Sequence, residues 1–184
     1  TANDVASVDK SFGAFYGIVV NTQANVVLEQ GTKPAVRIEG KRKDIDKVEV
    51  KVSNGMLVIT GTNTVAVNIH VTVEEINRVE VNGGARVYAS QVIHSDVLFL
   101  KVTGNGSIRL DVRALSLGML VKGKGKIVIS GTAGESYGRI LGDGRIQANN
   151  LDSYTSRTEV SRGNTAQVTE SDKSGRRMTL RMTN

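Results

Sequence analysis

The sequence predicts an all-β solenoid in which each coil of about 20 residues stacks on the next. The first observation is a Gly-x-Gly step that recurs in the second half of the chain at intervals of 21, 19, 19 and 21 residues. The second is the lack of helical patterning, and the third is a composition rich in Val, Ile, Thr and Gly, with one proline. Such a composition favours strands over helices. The five steps begin at Gly83, Gly104, Gly123, Gly142 and Gly163.

Apolar residues hold fixed places around these glycines, which predicts strands with one buried face. Four residues after the first glycine come Val87, Ile108, Ile127, Ile146 and Gln167. Two residues before it come Val81, Val102, Val121, Ile140 and Ser161. We expect these aliphatic side chains to stack in columns inside the coils. The fifth repeat lacks them, as expected of a terminal coil that meets solvent.

The glycines themselves predict a corner. Glycine is unfavourable within a strand unless a bend or a close backbone approach requires it, and here it separates two apolar strand segments at the same place in each coil. Each coil also carries a second strand-like segment, at 97–100, 114–117 and 154–157. A coil therefore holds two or three short strands joined by bends.

The first half has strand patterns without the 20-residue period. Alternation or apolar content predicts strands at 15–20, 25–29, 36–39, 48–52, 57–60 and 65–73. Asn54-Gly55 predicts a tight hairpin turn. We expect residues 1–10 to be disordered or trimmed, and residues 11–184 to form one domain. Within it we expect a β region at 11–80 that covers the open end of the solenoid, repeat coils at 81–170 and a C-terminal strand at 171–184.

Composition narrows the classes of partner and compartment. The chain has no cysteine, which excludes disulfides and thiolate metal sites. It has no apolar run long enough to span a membrane. His70 and His94 lack a ligand-like spacing, so we expect no metal and no cofactor. A net charge of +6 favours anionic partners, whereas an aromatic content of 4% disfavours nucleic acid. No signal peptide is visible in the polar start of the chain, which suits a mature N-terminus.

The order of these motifs resembles the head GIN domain family, a domain of unknown function common in Gram-negative envelopes. The resemblance runs from about Phe12 to Leu180. It includes the segments 15–20, 24–31 and 54–59 and the later Gly-x-Gly-x-Ile repeats, although the middle residues here are Asn, Lys and Asp rather than the usual Ser. The resemblance implies a fold akin to a right-handed parallel β-helix and an exported protein in the periplasm, at the outer membrane surface or outside the cell. It implies no catalytic residues, and the adhesin label of the family is itself an inference.

Outward positions of the repeat give the candidate site. Coils lie about 4.8 Å apart, so the basic residues that recur three positions after the glycine become neighbours. Together with Arg109, which lies five positions after its glycine, they form a predicted basic stripe, suited to acidic polysaccharides or cell-surface glycans, composed of Arg86, Arg109, Lys126 and Arg145.

Three classes of function stay open at this point. We favour a non-catalytic adhesin or glycan-binding module. The alternatives are a carbohydrate-active β-helix enzyme, such as a pectinase-like lyase or hydrolase, and a module that binds lipid or protein. Against the enzyme, the acids Asp111, Glu135, Asp143 and Asp152 share no column, whereas glycoside hydrolysis commonly uses two facing carboxylates. An uncapped terminal coil would pair readily, so a homo-oligomer is also expected.

Overall fold

The computed structural model describes residues 4–173 in full and the backbone of residues 177–183. Within these residues, fifteen strands form one hydrogen-bonded sheet. The strands are β1 Val5–Ser11, β2 Gly17–Asn21, β3 Ala24–Gln30, β4 Ala35–Lys41, β5 Val48–Ser53, β6 Met56–Gly61, β7 Val67–Val73, β8 Arg78–Asn82, β9 Arg86–Tyr88, β10 Ile93–Thr103, β11 Ser107–Lys122, β12 Lys126–Leu141, β13 Arg145–Arg162, β14 Thr165–Asp172 and β15 Arg177–Thr183. A single helical turn, α1 Arg42–Ile45, lies between β4 and β5. The predicted fold is confirmed: the sheet winds into a β-solenoid of about 4 turns with about 20 residues per turn.

The coils from β8 onward have three walls, which the chain visits in the same order. The first wall precedes the glycine corner and contains β2, β6, β8 and the later parts of β10 to β13. The second wall follows the corner and contains β3, β7, β9 and the first parts of β11 to β13. The third wall is shorter and begins with Ile93–Ser95 on Val112–Ala114. All pairs between these strands are parallel, so equivalent residues of successive coils lie side by side.

The interior is formed by the predicted aliphatic columns. Val87, Ile108 and Ile127 are in direct register on the second wall, and their side chains are at most 1% exposed. On the first wall Val81, Val102 and Val121 stack in the same way. Alternate residues of each strand therefore face one shared hydrophobic core, which removes their apolar surface from water.

The glycine corners are required by the backbone, as predicted. Gly104, Gly123 and Gly142 have φ angles of 103°, 99° and 108°, a region that residues with a side chain rarely adopt. The second glycine of a step is required by space: a Cβ on Gly125 would lie 2.5 Å from the carbonyl oxygen of Gly106 in the preceding coil. Coils can approach this closely only because neither position carries a side chain.

The first half of the chain supplies coils of its own, in an order that differs from the sequence. β2 lies between β6 and β8 on the first wall, and β3 lies between β7 and β9 on the second. The coil that begins with β6 is thus at the end of the stack, although it comes later in the chain. The region expected at 11–80 continues the solenoid rather than only covering it.

Antiparallel strands flank the parallel coils at both ends. β5 pairs with β6, while β4 pairs with β7 and with β1. The strand β1 occupies most of the segment that we expected to be disordered, because its backbone completes the edge of β4. At the opposite end, β14 pairs with residues 155–162 of β13 and also with β15. The strands β14 and β15 continue the sheet of the first wall.

The fifth glycine step does not begin a coil, so the prediction of a fifth, terminal coil at Gly163 is wrong. Gly163 and Asn164 form the turn of a two-residue hairpin, since Arg162 pairs with Thr165 across antiparallel strands. Gln167 therefore does not continue the column of Ile146. A register shift after Val128 adds one residue to β13, so that Val160, not Ser161, faces Ile140. This extra residue lengthens the coil from 19 to 20 residues, and Gly163 lies one residue further on, in the hairpin turn, so the last interval is 21 residues.

Candidate functional site

The second wall carries a groove of about 780 Å³ that contains all four residues of the predicted basic stripe. Register aligns Arg86, Ser107, Lys126 and Arg145 in one row across β9, β11, β12 and β13. Arg109 stands in the neighbouring row, beside Tyr88. Arg86, Arg109 and Arg145 are exposed and Lys126 is half-buried. We call this surface the basic groove.

The middle residues of the glycine steps form the other side of the basic groove. Asn105, Lys124 and Asp143 project from successive corners next to the row of Arg86 and Lys126. Five of the residues that line the groove are basic and one is acidic, which gives a formal charge of +4. The corner glycines therefore contribute to the site without lining it as side chains, because they allow the close spacing of the coils at which these charges repeat.

The five basic side chains of this groove form no ion pair with any acidic residue that the structure describes. Within residues 4–173, none of Arg86, Arg109, Lys124, Lys126 and Arg145 takes part in an ion pair. Like charges one rung apart repel one another, so an anion that neutralises them is attracted. The groove is thus suited to a linear anionic ligand that runs along the stack of coils.

A second groove, of about 930 Å³, lies on the first wall and was not predicted. Two neighbouring rows of residues line it, drawn from β11, β12, β13 and β14. One row is Ser116, Glu135, Thr155 and Asp172, and the other is Gly118, Tyr137, Arg157 and Glu170. We call it the tyrosine groove. The sequence signal was hidden because Glu170 and Asp172 come from the antiparallel hairpin, outside the repeat.

The charges of the tyrosine groove are tied to one another. Arg157 donates hydrogen bonds to Glu159 at 2.8 Å and to Glu170 at 2.5 Å. The Tyr137 hydroxyl donates to Glu159 at 3.2 Å. The hydrogen bond from Arg157 lowers the pKa of Glu159, while burial raises the pKa of Tyr137. Glu159 therefore stays ionised and Tyr137 stays neutral near neutral pH, which keeps this network intact.

No group of three or more His, Cys, Asp or Glu side chains placed to hold a metal ion occurs among the described residues. His70 contacts Glu39, with 3.6 Å between its Nε2 and the carboxylate, and His94 lies on the third wall. Over the described part of the chain, no helix is long and apolar enough to cross a membrane.

Solved structures share this fold. A putative adhesin from Bacteroides fragilis superposes with a TM-score of 0.82 at 20% identity, over 86% of this chain and 77% of that one. A putative adhesin from Parabacteroides distasonis gives 0.68 at 17% identity, over 87% and 79% of the two chains. A putative lipid binding protein from the same species gives 0.67 at 13% identity, over 85% and 78%. At such identities the likeness concerns the fold alone. No curated protein matches the sequence.

The family is shown by the sequence itself. The model of the putative auto-transporter adhesin, head GIN domain, matches residues 14–177, which is most of the chain. That span includes the glycine corners, both grooves and the hairpin of β13 and β14. The protein belongs to the family of the putative auto-transporter adhesin head GIN domain.

Proposed function

We propose that this protein is a non-catalytic adhesion module of the cell envelope that binds an acidic polysaccharide in its basic groove. The observation that carries the proposal is the set of five basic side chains, aligned over successive coils and without acidic partners. Carboxylated or sulfated glycans present charges at regular intervals along an extended chain. A row of cations with a rung of about 4.8 Å meets such a chain along its length.

The position of the protein at the cell surface, or elsewhere outside the cytoplasm, is part of the same proposal. The family description as an auto-transporter adhesin supports it. Surface polysaccharides that carry carboxylate or sulfate groups are abundant there and are rare inside cells. An exported solenoid with a basic face would meet such ligands directly.

A catalytic role in the basic groove is less well supported. Asp143 is the one carboxylate among the residues that line it. Hydrolysis of a glycosidic bond usually requires a second carboxylate on the other side of that bond. Binding without turnover is therefore the function that this groove supports best.

The test is a titration of the purified protein with an acidic polysaccharide such as heparin or polygalacturonate, at low and at high salt. We expect binding to weaken steeply as salt rises, because the ligand displaces counterions and the exposed charges are screened. Reversal of two adjacent charges, Lys126→Glu with Arg145→Glu, should weaken binding at low salt by about 1–2 kcal/mol, or roughly 5–30-fold.

The matched control reverses two charges elsewhere. Lys41→Glu with Lys51→Glu makes the same change in net charge on β4 and β5, at the opposite end of the stack, where both side chains are exposed. Equal losses in the two double variants would show that the ligand responds to net charge alone, which would refute a site in the basic groove. Loss confined to Lys126 and Arg145 would support it.

A further inference from the structure

The tyrosine groove differs from the basic groove in charge and in lining. Of the charged residues that line it, Glu135, Glu170 and Asp172 are acidic and Arg157 is basic, so its formal charge is −2. This acidic surface lies on a chain whose net charge is +6. It is the larger of the two grooves, and the backbone of Gly118 forms part of its floor, whereas the Leu117 side chain, only 1% exposed, belongs to the core.

The row that contains Tyr137 has a glycine in place of one side chain. Phe99, Gly118 and Tyr137 are in register on the outer face of β10, β11 and β12. A Cβ on Gly118 would lie 3.1 Å from the Phe99 ring, which leans over the glycine. Any larger residue at this position would displace the ring and fill the floor. Tyr137 is 41% exposed and lines the groove, so it is accessible to a ligand there.

The aromatic side chain is held in place. The hydroxyl of Tyr137 donates a hydrogen bond to Glu159 of β13. Arg157, also on β13, holds Glu159 and the carboxylate of Glu170 on β14. Because Arg157 is engaged by two carboxylates, it does not act as a free cation in the groove. A fixed aromatic surface offers contact area with little loss of side-chain entropy on binding.

The neighbouring row supplies groups that bind hydroxyls and amines. Ser116, Glu135, Thr155 and Asp172 alternate between hydroxyl and carboxylate, about 4.8 Å apart per rung. Ser116 donates to Glu135 at 3.0 Å, which leaves further lone pairs on that carboxylate. This spacing is comparable with the length of one hexose unit in an extended oligosaccharide.

We propose that the tyrosine groove is a second carbohydrate site, separate from the basic groove, that binds an oligosaccharide of amino sugars. Tyr137 contacts the apolar face of one sugar ring. Glu135 accepts hydrogen bonds from the ammonium and hydroxyl groups. The negative charge of the groove selects cationic sugars and disfavours the acidic glycans proposed for the other face.

The test is calorimetric titration with the tetramer of glucosamine at mildly acidic pH, where its amines are protonated, and with the N-acetylated tetramer, which has no charge. We expect the cationic tetramer to bind at least about tenfold more tightly, because charge-assisted hydrogen bonds are lost on acetylation. Equal affinity for the two tetramers, or no binding of either, would overturn the proposal. Equal binding of a lysine tetrapeptide would also overturn it, since the groove would then recognise charge and not sugar.

Two substitutions locate the site. Tyr137→Ala should weaken binding of the cationic tetramer by about five- to tenfold, and Glu135→Gln, which keeps the size of the side chain, by about fivefold or more. Lys126→Glu with Arg145→Glu in the basic groove should not weaken it, which separates this proposal from the first. Circular dichroism checks that each variant is folded. Wild-type affinity in both folded groove variants would refute the assignment.

Discussion

The middle and last coils of the solenoid share one register but have different interiors. In the coil of β11, Ile108 and Leu117 are at most 1% exposed, because another coil covers each side. In the coil of β13, Ile146 is only partly buried, and serine and threonine replace several aliphatic positions on the first wall. A coil is therefore stabilised by its two neighbours more than by its own sequence, as expected of a repeat architecture.

Glycine substitutions should show the largest difference in stability between the middle coils and the end of the solenoid. Gly125→Ala places a Cβ 2.5 Å from the carbonyl oxygen of Gly106, and the backbone on both sides belongs to packed coils that cannot yield. We expect this substitution to cost more than about 4 kcal/mol or to abolish folding. Chemical denaturation monitored by circular dichroism measures the change in the free energy of unfolding.

The same substitution at the end of the solenoid is the control. Gly163 has a φ of 57°, but no atom lies within 4 Å of a Cβ built there. Gly163→Ala should therefore cost about 1 kcal/mol, from backbone strain alone. Similar losses at Gly125 and Gly163 would contradict the view that the second glycine of each step is required by contact between coils.

The second comparison uses one column of isoleucines. Ile108→Ala creates a cavity between two covered coils and should lower the free energy of unfolding by about 3 kcal/mol. Ile146→Ala removes the same atoms from a half-exposed position and should cost about 1 kcal/mol. Urea denaturation of both variants measures the two values. A larger loss at Ile146 would mean that the last coil is covered more fully than its exposure indicates.

Hydrogen exchange should reveal the uncovered edge. In the described structure, residues 145–153 of β13 pair only with β12, because β14 begins its pairing at Thr155. Their outward amides should exchange markedly faster than the equivalent amides of β12, which are covered on both sides. Strong protection of this segment would contradict a free edge and would indicate that a second copy covers it. Light scattering at the same protein concentration would detect that copy.

The smallest effect concerns the ion pairs that tie the last coil to the hairpin. Because Arg157 lowers the pKa of Glu159, this carboxylate stabilises the fold at pH values above its ordinary range. That contribution is lost as the pH falls through the lowered pKa, when the carboxylate becomes protonated. The melting temperature should therefore fall less steeply between neutral and acidic pH for Glu159→Gln than for the wild type. Identical slopes would show that the network contributes nothing measurable.

Sequence patterns were sufficient to predict the repeating coils, because the corner glycines and the core residues of each coil lie close together in the sequence. Gly104, Gly123 and Gly142 are separated by one coil each, and the aliphatic residues beside them keep the same offset. The basic groove followed from the same offset, since side chains at equal positions of adjacent coils must be neighbours. Whether it binds a glycan is not encoded in that spacing and stays a prediction.

The coils of the first half could not be predicted from a repeat, because their corners are held by side chains in place of glycines. The amide of Asn63 donates to the carbonyl oxygens of Gln23 at 2.8 Å and Val65 at 3.0 Å, and Thr22 donates to Asn63 from a buried position. A single asparagine that serves two coils leaves no period in the sequence. The tyrosine groove was missed for a related reason, because β14 reverses direction and brings Glu170 beside Arg157 from outside the repeat.

The interleaved order of the first coils has a consequence for how the chain acquires its structure during synthesis. The parallel partners of β2 are β6 and β8, and those of β3 are β7 and β9, so every one of them leaves the ribosome later than the strand it pairs with. A nascent chain that ends before β6 has no place to bury Ile18, Val20 and Val26. The solenoid therefore cannot wind progressively from its first residue. The strands β2 and β3 have both of their parallel neighbours only after residue 88 has emerged.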